Sequence, residues 1–278
     1  MSQRTAIVTD STADIPAQEA ERLQIDVIPA LLTIDGRSYD DGSGMTRTDF
    51  YRGLPGFRTP PTTAAPSPQR FTAAYERLLS SGNDRVLSVH LSSKLSAMIN
   101  IALQAAEAFG NRVHVFDSAQ VSLGTGFQAM GAAAAARAGT SFEAILDGLR
   151  RARERSWTVA MINTLEYLRR SGRVHWLRAG LGEFMNIKLL VRVADGTVQR
   201  IKEVRSRHKA IEEMISYVSA GAPFERLALL HSGVPDEAAS LAVRMRPLSQ
   251  EEPLVVDVTT VIGAHVGPNS VGVAGLAA

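Results

Sequence analysis

Cysteine is absent from the 278 residues of this chain. The protein therefore forms no disulfide, has no thiolate nucleophile and offers no cysteine ligands to zinc. No apolar run reaches the roughly eighteen residues that span a bilayer. Asp10 also interrupts the N-terminus before the apolar core of a signal peptide could form. We expect a cytoplasmic protein.

Several catalytic motifs are missing as well. The chain contains no Gly-x-Ser-x-Gly nucleophile elbow and no Walker A loop for ATP. Its six histidines include no pair spaced by three or four residues, as a helical metal site would need. We expect no metal and no cofactor.

Acidic residues are scarce in one stretch of a chain whose net charge is only +2. Residues 150–209 hold 15 Lys and Arg against 5 Asp and Glu, and most of these cations are arginines. Such a stretch attracts anions such as nucleic acid, a phosphorylated ligand or an acidic partner, unless it is simply a solvated helix face. Its arginines are Arg150, Arg151, Arg153, Arg155, Arg169, Arg170, Arg173, Arg178, Arg192, Arg200, Arg205 and Arg207.

Apolar strand-like runs alternate with helical periodicity through the first half of the chain. This alternation is typical of a parallel sheet with helices on both faces. Asp35-Gly36 predicts a hairpin turn, and four prolines within 59–68 predict an ordered loop. The predicted strands are 5–9, 26–34, 85–90 and 112–117, and the predicted helices are 16–23, 46–53, 67–81, 93–109 and 119–138.

The second half contains two apolar runs, 184–193 and 197–204, around an Asp195-Gly196 turn that predicts a hairpin. Further helices are predicted at 140–155, 164–170, 207–219 and 235–246, and strands at 226–231, 254–260 and 270–276. We expect an α/β protein of two α/β domains. Residues 1–160 would form three layers around a mainly parallel sheet, with a small hairpin insertion near 28–45. Residues 161–278 would form two layers with a mixed sheet, and a ligand would lie between or within the domains.

The segment 6–16 carries the strongest signal of a binding site. Its apolar run is typical of a strand that ends at a capped helix. Thr9, Ser11 and Thr12 place hydroxyls at the carboxyl end of this strand, and Asp10 and Asp14 add acceptors. Open α/β sheets bind ligands at that edge, so we expect a site there.

Ser92, Ser93 and Ser96 follow the predicted strand 85–90, where a helix is expected to begin. Unpaired N–H groups at a helix start favour an anionic oxygen, although capping alone would use one of the three serines. Gly124 and Gly126 fit a loose dinucleotide-binding pattern. Because they fall within a predicted helix, we interpret them as residues for close helix packing.

His265 lies between Gly263 and Gly267, which allow the backbone to approach a ligand closely. Taken alone, this segment is more typical of a surface turn with an incidental histidine. Its meaning therefore depends on the other segments.

Together these segments resemble the DegV family of bacterial fatty-acid-binding proteins, over essentially the whole chain. The N-terminal signature is the most specific match. The matching stretches are 7–14, 63–66, 92–98, 117–118, 121–124, 164–168, 172–173, 186–188, 204–205 and 263–269. Five residues depart from the family pattern beside the implied head-group site, namely Ala64, Ala65, Ala97, Met98 and Asn269.

The resemblance implies a long-chain fatty acid (roughly C14–C18) in a buried tunnel, where a dozen or so methylenes would contribute about 10 kcal/mol. It also implies that neutral donors hold the carboxylate. The implied contacts are Thr63, Ser96, His265 and Ser93, with Ser92, Thr9, Ser11 and Gly267 as a secondary set.

The resemblance further implies that the chain is not catalytic alone. A separate ATP-binding subunit of a fatty acid kinase would convert the presented carboxylate to an acyl phosphate for phospholipid synthesis. Arg173 and Arg205 would bind the phosphate or dock this partner. No nucleic acid and no membrane span are expected among the partners, whereas transient contact with a membrane surface stays open.

Two other functions are kept as alternatives. Ser96 and His265 could form the dyad of an esterase, although the sequence offers no obvious orienting acid. The Arg-rich residues 150–209 could serve a nucleic-acid-binding regulator, although no helix-turn-helix signature accompanies them.

Overall fold

The structure is a computed structural model that describes residues 4–174, 176–177 and 187–278. The strands are β1 (Thr5–Asp10), β2 (Ile25–Ile28), β3 (Leu31–Ile34), β4 (Arg37–Asp40), β5 (Thr62–Ala64), β6 (Arg85–His90), β7 (Val113–Asp117), β8 (Ser156–Ile162), β9 (Lys188–Ala194), β10 (Thr197–Val204), β11 (Phe224–His231), β12 (Leu254–Asp257) and β13 (Val271–Ala277). The helices are α1 (Ala17–Leu23), α2 (Arg47–Gly53), α3 (Pro68–Ser80), α4 (Met98–Ala106), α5 (Leu123–Arg137), α6 (Phe142–Arg155), α7 (Leu165–Ser171), α8 (Arg207–Ser219), α9 (Pro235–Met245) and α10 (Thr260–Val266).

The first sheet is entirely parallel and has the strand order β2-β1-β6-β7. Its register places Ile7 beside Ile25 on one side and beside Leu87 on the other. Helices α3 and α4 pack on one face and α5 on the other. Because both faces are covered, the central strands are nearly continuous apolar runs. The predicted three-layer arrangement with a parallel sheet is confirmed.

The second sheet is mixed and has the order β10-β9-β8-β13-β11-β12. Its neighbouring strands are antiparallel except for β11 and β12. Helices α8 and α9 contact this sheet, and their apolar side chains form a core with Met161, Leu229 and Val273. The predicted mixed sheet is confirmed.

Helix α5 lies between the two sheets, since it contacts β1 and β6 of the first and β8 and β13 of the second. Ten of its fifteen residues are buried. A Cβ atom at Gly126 would come within 2.5 Å of the Ala13 carbonyl oxygen. A Cβ atom at Gly124 would likewise come within 2.5 Å of the Thr158 hydroxyl oxygen. The interpretation of Gly124 and Gly126 as packing residues is therefore confirmed.

A third, small antiparallel sheet has the order β4-β3-β5. The predicted turn at Asp35-Gly36 is confirmed, and both residues have the positive φ values of a hairpin turn, 47° and 81°. The edge strand β5 lies within the proline-rich stretch that was expected to be only a loop. It pairs Thr63 with Leu32.

Two further expectations about elements are wrong. Residues 26–34 do not form one strand, because Pro29-Ala30 separates β2 of the parallel sheet from β3 of the small sheet. The helix expected from residue 93 begins only at Met98. The Ser96 hydroxyl accepts a hydrogen bond from the Met98 N–H, which ends the preceding turn.

The predicted division of the chain near residue 160 falls inside β8, the strand with which the second sheet begins in sequence. The separation into two domains therefore stays a prediction. Residues 184–186 of the predicted apolar run, together with Arg178, lie outside the described residues. Within the described ranges, no helix has the length and apolar character needed to cross a bilayer.

Candidate functional site

A cavity of about 300 Å³ lies where the edge strand β5, helix α10 and the loop after β6 meet. Thr63, Ser96 and His265 all line it. Three of the four side chains expected to bind a head group therefore share one wall, although they are far apart in sequence. Thr12 and Arg173 line the same cavity.

Thr63 and His265 contact each other directly, with 2.8 Å between Thr63 Oγ1 and His265 Nε2. His265 belongs to the last turn of α10, a helix that begins where the Thr259 hydroxyl accepts the Ile262 N–H. Gly267 ends this helix with a φ of 76°, and a Cβ atom there would collide with Tyr167. His265 is thus a fixed, half-buried part of the cavity wall and not an incidental surface histidine.

The electrostatic state of His265 follows from its surroundings. Burial, and to a smaller extent the nearby Arg173 guanidinium, lowers the pKa of His265 to about 4. The imidazole is therefore uncharged at neutral pH. The inner part of the cavity offers neutral hydrogen-bonding groups, with the exposed Arg173 as its cation.

Ser96 has hydrogen-bonding capacity left for a ligand. Its oxygen accepts the Met98 N–H at 3.2 Å, so its own hydrogen is free to be donated. Arg173 donates from Nη1 to the carbonyl oxygen of Ser171 at 2.7 Å and keeps the rest of its guanidinium exposed.

Ser92 and Ser93 do not line this cavity. Ser93 is exposed, and its N–H donates to the Asp117 carboxylate at 3.2 Å. Ser92 is buried, and its hydroxyl donates to the Gly196 carbonyl at 2.7 Å, which joins the loop after β6 to the β9–β10 hairpin. In this structure, both serines therefore form hydrogen bonds that hold the loop after β6 in place and do not face the cavity.

Thr9 and Ser11 also lie away from the cavity. Thr9 is fully buried, and its hydroxyl donates across the parallel sheet to the Val89 carbonyl at 2.7 Å. The Ser11 hydroxyl accepts the Ala30 N–H at 3.1 Å. Their neighbour Thr12 lines the cavity instead, and the sequence signal for it was its place in the same hydroxyl-rich segment.

A second, inner cavity of about 100 Å³ adjoins the first. The two cavities share five lining residues, namely Val121, Leu168, Val198, Ile262 and Val266. The wall of the inner cavity is almost entirely carbon, with Ile162, Val191 and Val271 among its side chains. A cavity with polar groups thus adjoins an apolar one, an arrangement suited to a ligand with a polar head and an aliphatic tail.

Asp14, singled out in the sequence as an acceptor, joins the elements that enclose these cavities. Its carboxyl group accepts the Thr259 N–H at 2.8 Å and the Ser122 hydroxyl at 2.5 Å, next to the starts of α10 and α5. Burial raises the pKa of Asp14 to about 7, although Arg47 and these hydrogen bonds oppose the rise.

Comparison with known proteins agrees with the architecture and places the chain in a family. The family model of uncharacterised DegV proteins matches residues 4–277. The chain belongs to the DegV family. A DegV domain-containing protein of Streptomyces coelicolor is 36% identical over 279 residues, which cover 98% of each chain.

Solved DegV structures are similar over nearly the whole length. A fatty-acid-binding DegV family protein from Thermus thermophilus has a TM-score of 0.91 at 34% identity, covering 99% of this chain and 100% of that one. DegV from Bacillus subtilis, a fatty acid binding protein, has a TM-score of 0.88 at 28% identity with the same coverage.

Four of the five residues that depart from the family pattern lie at the first cavity, and Asn269 does not line it. The four lining residues are Ala64, Ala65, Ala97 and Met98. Asn269 adopts a φ of 61°, a left-handed conformation that asparagine tolerates better than most residues. The backbone of a glycine is therefore reproduced at Asn269, whereas the alanines remove polar groups from the cavity wall.

Within the described ranges, no group of three or more His, Asp or Glu side chains is arranged to hold a metal ion. Many arginines of residues 150–209 are paired with carboxylates in ion pairs. These pairs are Arg150–Asp147, Arg155–Glu225, Arg170–Glu166, Arg200–Glu203 and Arg207–Glu237.

Proposed function

We propose that this protein binds a long-chain fatty acid, with the carboxyl group at Thr63, Ser96 and His265 and the acyl chain in the inner cavity. The observation that carries the proposal is that two adjoining cavities share five lining residues, while hydroxyls and an imidazole line the first and the wall of the second is almost entirely carbon. The fatty acid binding described for the relatives from T. thermophilus and B. subtilis supports it.

Affinity and orientation come from different parts of the ligand. Each buried methylene contributes about 0.8 kcal/mol, so the tail supplies most of the binding energy. The hydroxyl and imidazole groups orient the carboxyl group without a buried cation that would neutralise it. The volumes of the two cavities together fall in the lower part of the range usual for small-molecule sites, roughly 300–1,000 Å³.

Calorimetric titration of the delipidated protein with a long-chain fatty acid tests this proposal. We expect saturable one-to-one binding that weakens steadily as the acyl chain is shortened. The absence of saturable binding, or an affinity that does not depend on chain length, would contradict it.

The proposal extends to the fate of the bound acid. The protein, cytoplasmic and without catalytic activity of its own, presents the carboxylate to a separate ATP-binding kinase subunit, which forms an acyl phosphate. Arg205 is exposed and away from the cavity, as a docking residue would be, whereas Arg173 stands at the cavity wall and adds a charge near the head group.

Reconstitution with such a kinase subunit, ATP and the loaded protein tests this step by acyl phosphate formation. We expect Arg205→Ala to leave fatty acid binding unchanged and to lower the rate of phosphorylation. Equal loss of binding and phosphorylation in this variant would count against docking.

The alternatives receive less support from the geometry. His265 hydrogen-bonds to Thr63, and no carboxylate of the described residues hydrogen-bonds to it as the acid of an esterase triad would. Five of the twelve arginines in residues 150–209 have carboxylate partners among the described residues, which reduce the field that a nucleic-acid-binding surface would use.

A further inference from the structure

A chain of hydrogen bonds runs through the core of the parallel sheet and ends at the head-group cavity. Asp10 Oδ2 lies 2.7 Å from His90 Nδ1, and His90 Nε2 lies 2.7 Å from Ser88 Oγ. The Tyr75 hydroxyl donates to Ser88 Oγ at 2.9 Å. All four side chains are fully buried. The arrangement has the order of a Ser-His-Asp triad but is sealed from any substrate.

The direction of each hydrogen in this chain can be assigned. Ser88 accepts from Tyr75, so its own hydrogen needs an acceptor, and His90 Nε2 is the neighbouring one. The ring hydrogen of His90 then lies on Nδ1 and is donated to Asp10. The other carboxylate oxygen of Asp10 is left to accept hydrogens from a different group.

That group is Thr12. Asp10 Oδ1 accepts the Thr12 backbone N–H at 3.0 Å and also accepts the Thr12 hydroxyl. Both hydrogens that Thr12 can donate are therefore committed to Asp10. Thr12 lines the cavity, and its hydroxyl oxygen has only lone pairs left because its hydrogen is donated to Asp10, so this oxygen can accept a hydrogen bond from a ligand but cannot donate one.

The cavity thus carries both kinds of hydrogen-bonding group. Ser96 has a hydroxyl hydrogen to donate to a ligand. Thr63 and His265 are joined by one hydrogen bond, in which either the hydroxyl or the imidazole can be the donor. The titratable side chains among the described residues of its wall are the imidazole of His265 and the exposed guanidinium of Arg173. A donor side and an acceptor side are complementary to a carboxylic acid that keeps its proton, because its carbonyl oxygen accepts while its hydroxyl donates.

We propose that Thr12 is a further head-group contact, which accepts the hydroxyl hydrogen of a bound acid in its protonated form, and that Asp10 and His90 are the positioning residues that hold Thr12 in this role. The inference rests on the proposed fatty acid binding. It concerns the resting, loaded state, and the proton leaves the acid only when a phosphoryl donor is brought to it.

The protonation state of the bound acid tests the proposal directly. The ligand is a long-chain fatty acid labelled with ¹³C at its carboxyl carbon, and its chemical shift is followed against pH in the complex. We expect the titration midpoint to lie at least about one pH unit above that of a water-soluble shorter acid free in solution. A midpoint equal to that of the free acid would overturn the proposal, even though fatty acid binding itself would stand.

Variants at Thr12 separate its role from general stability. Thr12→Val removes the hydroxyl at nearly constant volume and should lower the midpoint by about half a unit or more, whereas Thr12→Ser should restore it. Thr9→Val is the matched control, because it removes another buried hydroxyl of the same segment that does not line the cavity. A midpoint equal in Thr12→Val and wild type would overturn the proposal.

The tautomer of the His90 imidazole gives a second readout that does not depend on any variant. In ¹⁵N spectra of the wild-type protein we expect the hydrogen of His90 on Nδ1 and an unprotonated Nε2. A hydrogen on Nε2 would contradict the assigned hydrogen directions and would overturn the role of Asp10 and His90. Failure of every long-chain acid to bind would instead overturn the proposed function.

Discussion

Thr63 and His265 are 202 residues apart in the chain, and their side chains form a 2.8 Å hydrogen bond at the mouth of the cavity. One belongs to the edge strand of the small antiparallel sheet and the other to the last turn of a helix near the C-terminus. This part of the cavity wall therefore forms only when the small sheet and helix α10 are docked together. Under the proposed function, we expect fatty acid binding to be coupled to the packing of these two elements.

The Thr63 hydroxyl should matter for affinity more than for folding. We expect Thr63→Val to weaken binding of a long-chain acid by about tenfold or more, because a hydrogen bond to the carboxyl group is lost. Thr62→Val is the control, since Thr62 is the exposed neighbour on the same strand and does not line the cavity. Equal affinities of the two variants, measured by calorimetry, would contradict the placement of the head group.

His265 should make the protein less stable in acid. Its pKa is lowered from 6.5 to about 4 in the folded protein, chiefly by burial and then by Arg173. The unfolded chain therefore takes up the proton first, and stability falls as the pH decreases from 6.5 toward 4. The loss attributable to this residue is about 3 kcal/mol.

Urea unfolding of the wild type and of His265→Gln across this pH range measures the effect. The stability of the wild type relative to the variant should be greatest above pH 6.5 and should decline toward pH 4. A difference between the two proteins that does not change with pH would show that His265 is not buried as described.

Asp14 should act in the opposite direction. Its pKa is raised from 3.8 to about 7, mainly by burial, so the folded protein holds this proton more tightly than the unfolded chain. The stability contributed by the protonated carboxyl is complete below pH 3.8 and is lost as the pH rises through 7. The total change is about 4 kcal/mol.

Asp14→Asn is the informative variant, because an amide can still accept the Thr259 N–H and donate to the Ser122 oxygen. Its stability relative to the wild type should improve steadily between pH 4 and pH 8. If calorimetric melting temperatures showed the same difference at both ends of this range, the protonated state assigned to Asp14 would be wrong.

The inner cavity should set the chain length of the ligand. Ala160 lines only the inner cavity, and Ala160→Leu would occupy part of its volume. We expect the longest acids that the wild type accepts to lose affinity by roughly fourfold per displaced methylene, while shorter acids bind as before.

Ala144→Leu on the exposed face of α6 provides a control for adding the same side chain elsewhere. Competition binding with a series of saturated acids measures the length profile. An unchanged profile in Ala160→Leu would place the acyl chain elsewhere in the molecule.

The alternation of strands and helices was readable from the sequence because buried parallel strands are apolar throughout and their helices are amphipathic. The break at Pro29-Ala30 was missed, since an apolar run that changes from one sheet to another has no distinct periodicity. The edge strand β5 was missed because its proline-rich surroundings are typical of a loop.

The sequence also predicts part of the candidate site. Thr63, Ser96 and His265 were found through family-like motifs, and tertiary packing then brought them to one cavity. Ser93 and Thr9 could not be separated from Ser96 and Thr12 in the sequence. The sequence does not distinguish neighbouring hydroxyl residues, because the backbone geometry of the turn after β6 and of β1 determines which side chain faces the cavity.

Native mass spectrometry of the purified protein tests the central claim most directly. We expect a species heavier than the bare chain by the mass of one long-chain fatty acid, and a smaller fraction of this species in a His265→Gln, Thr63→Val double variant. A wild-type protein that carries no such mass, and gains none after incubation with a long-chain acid, would contradict the account.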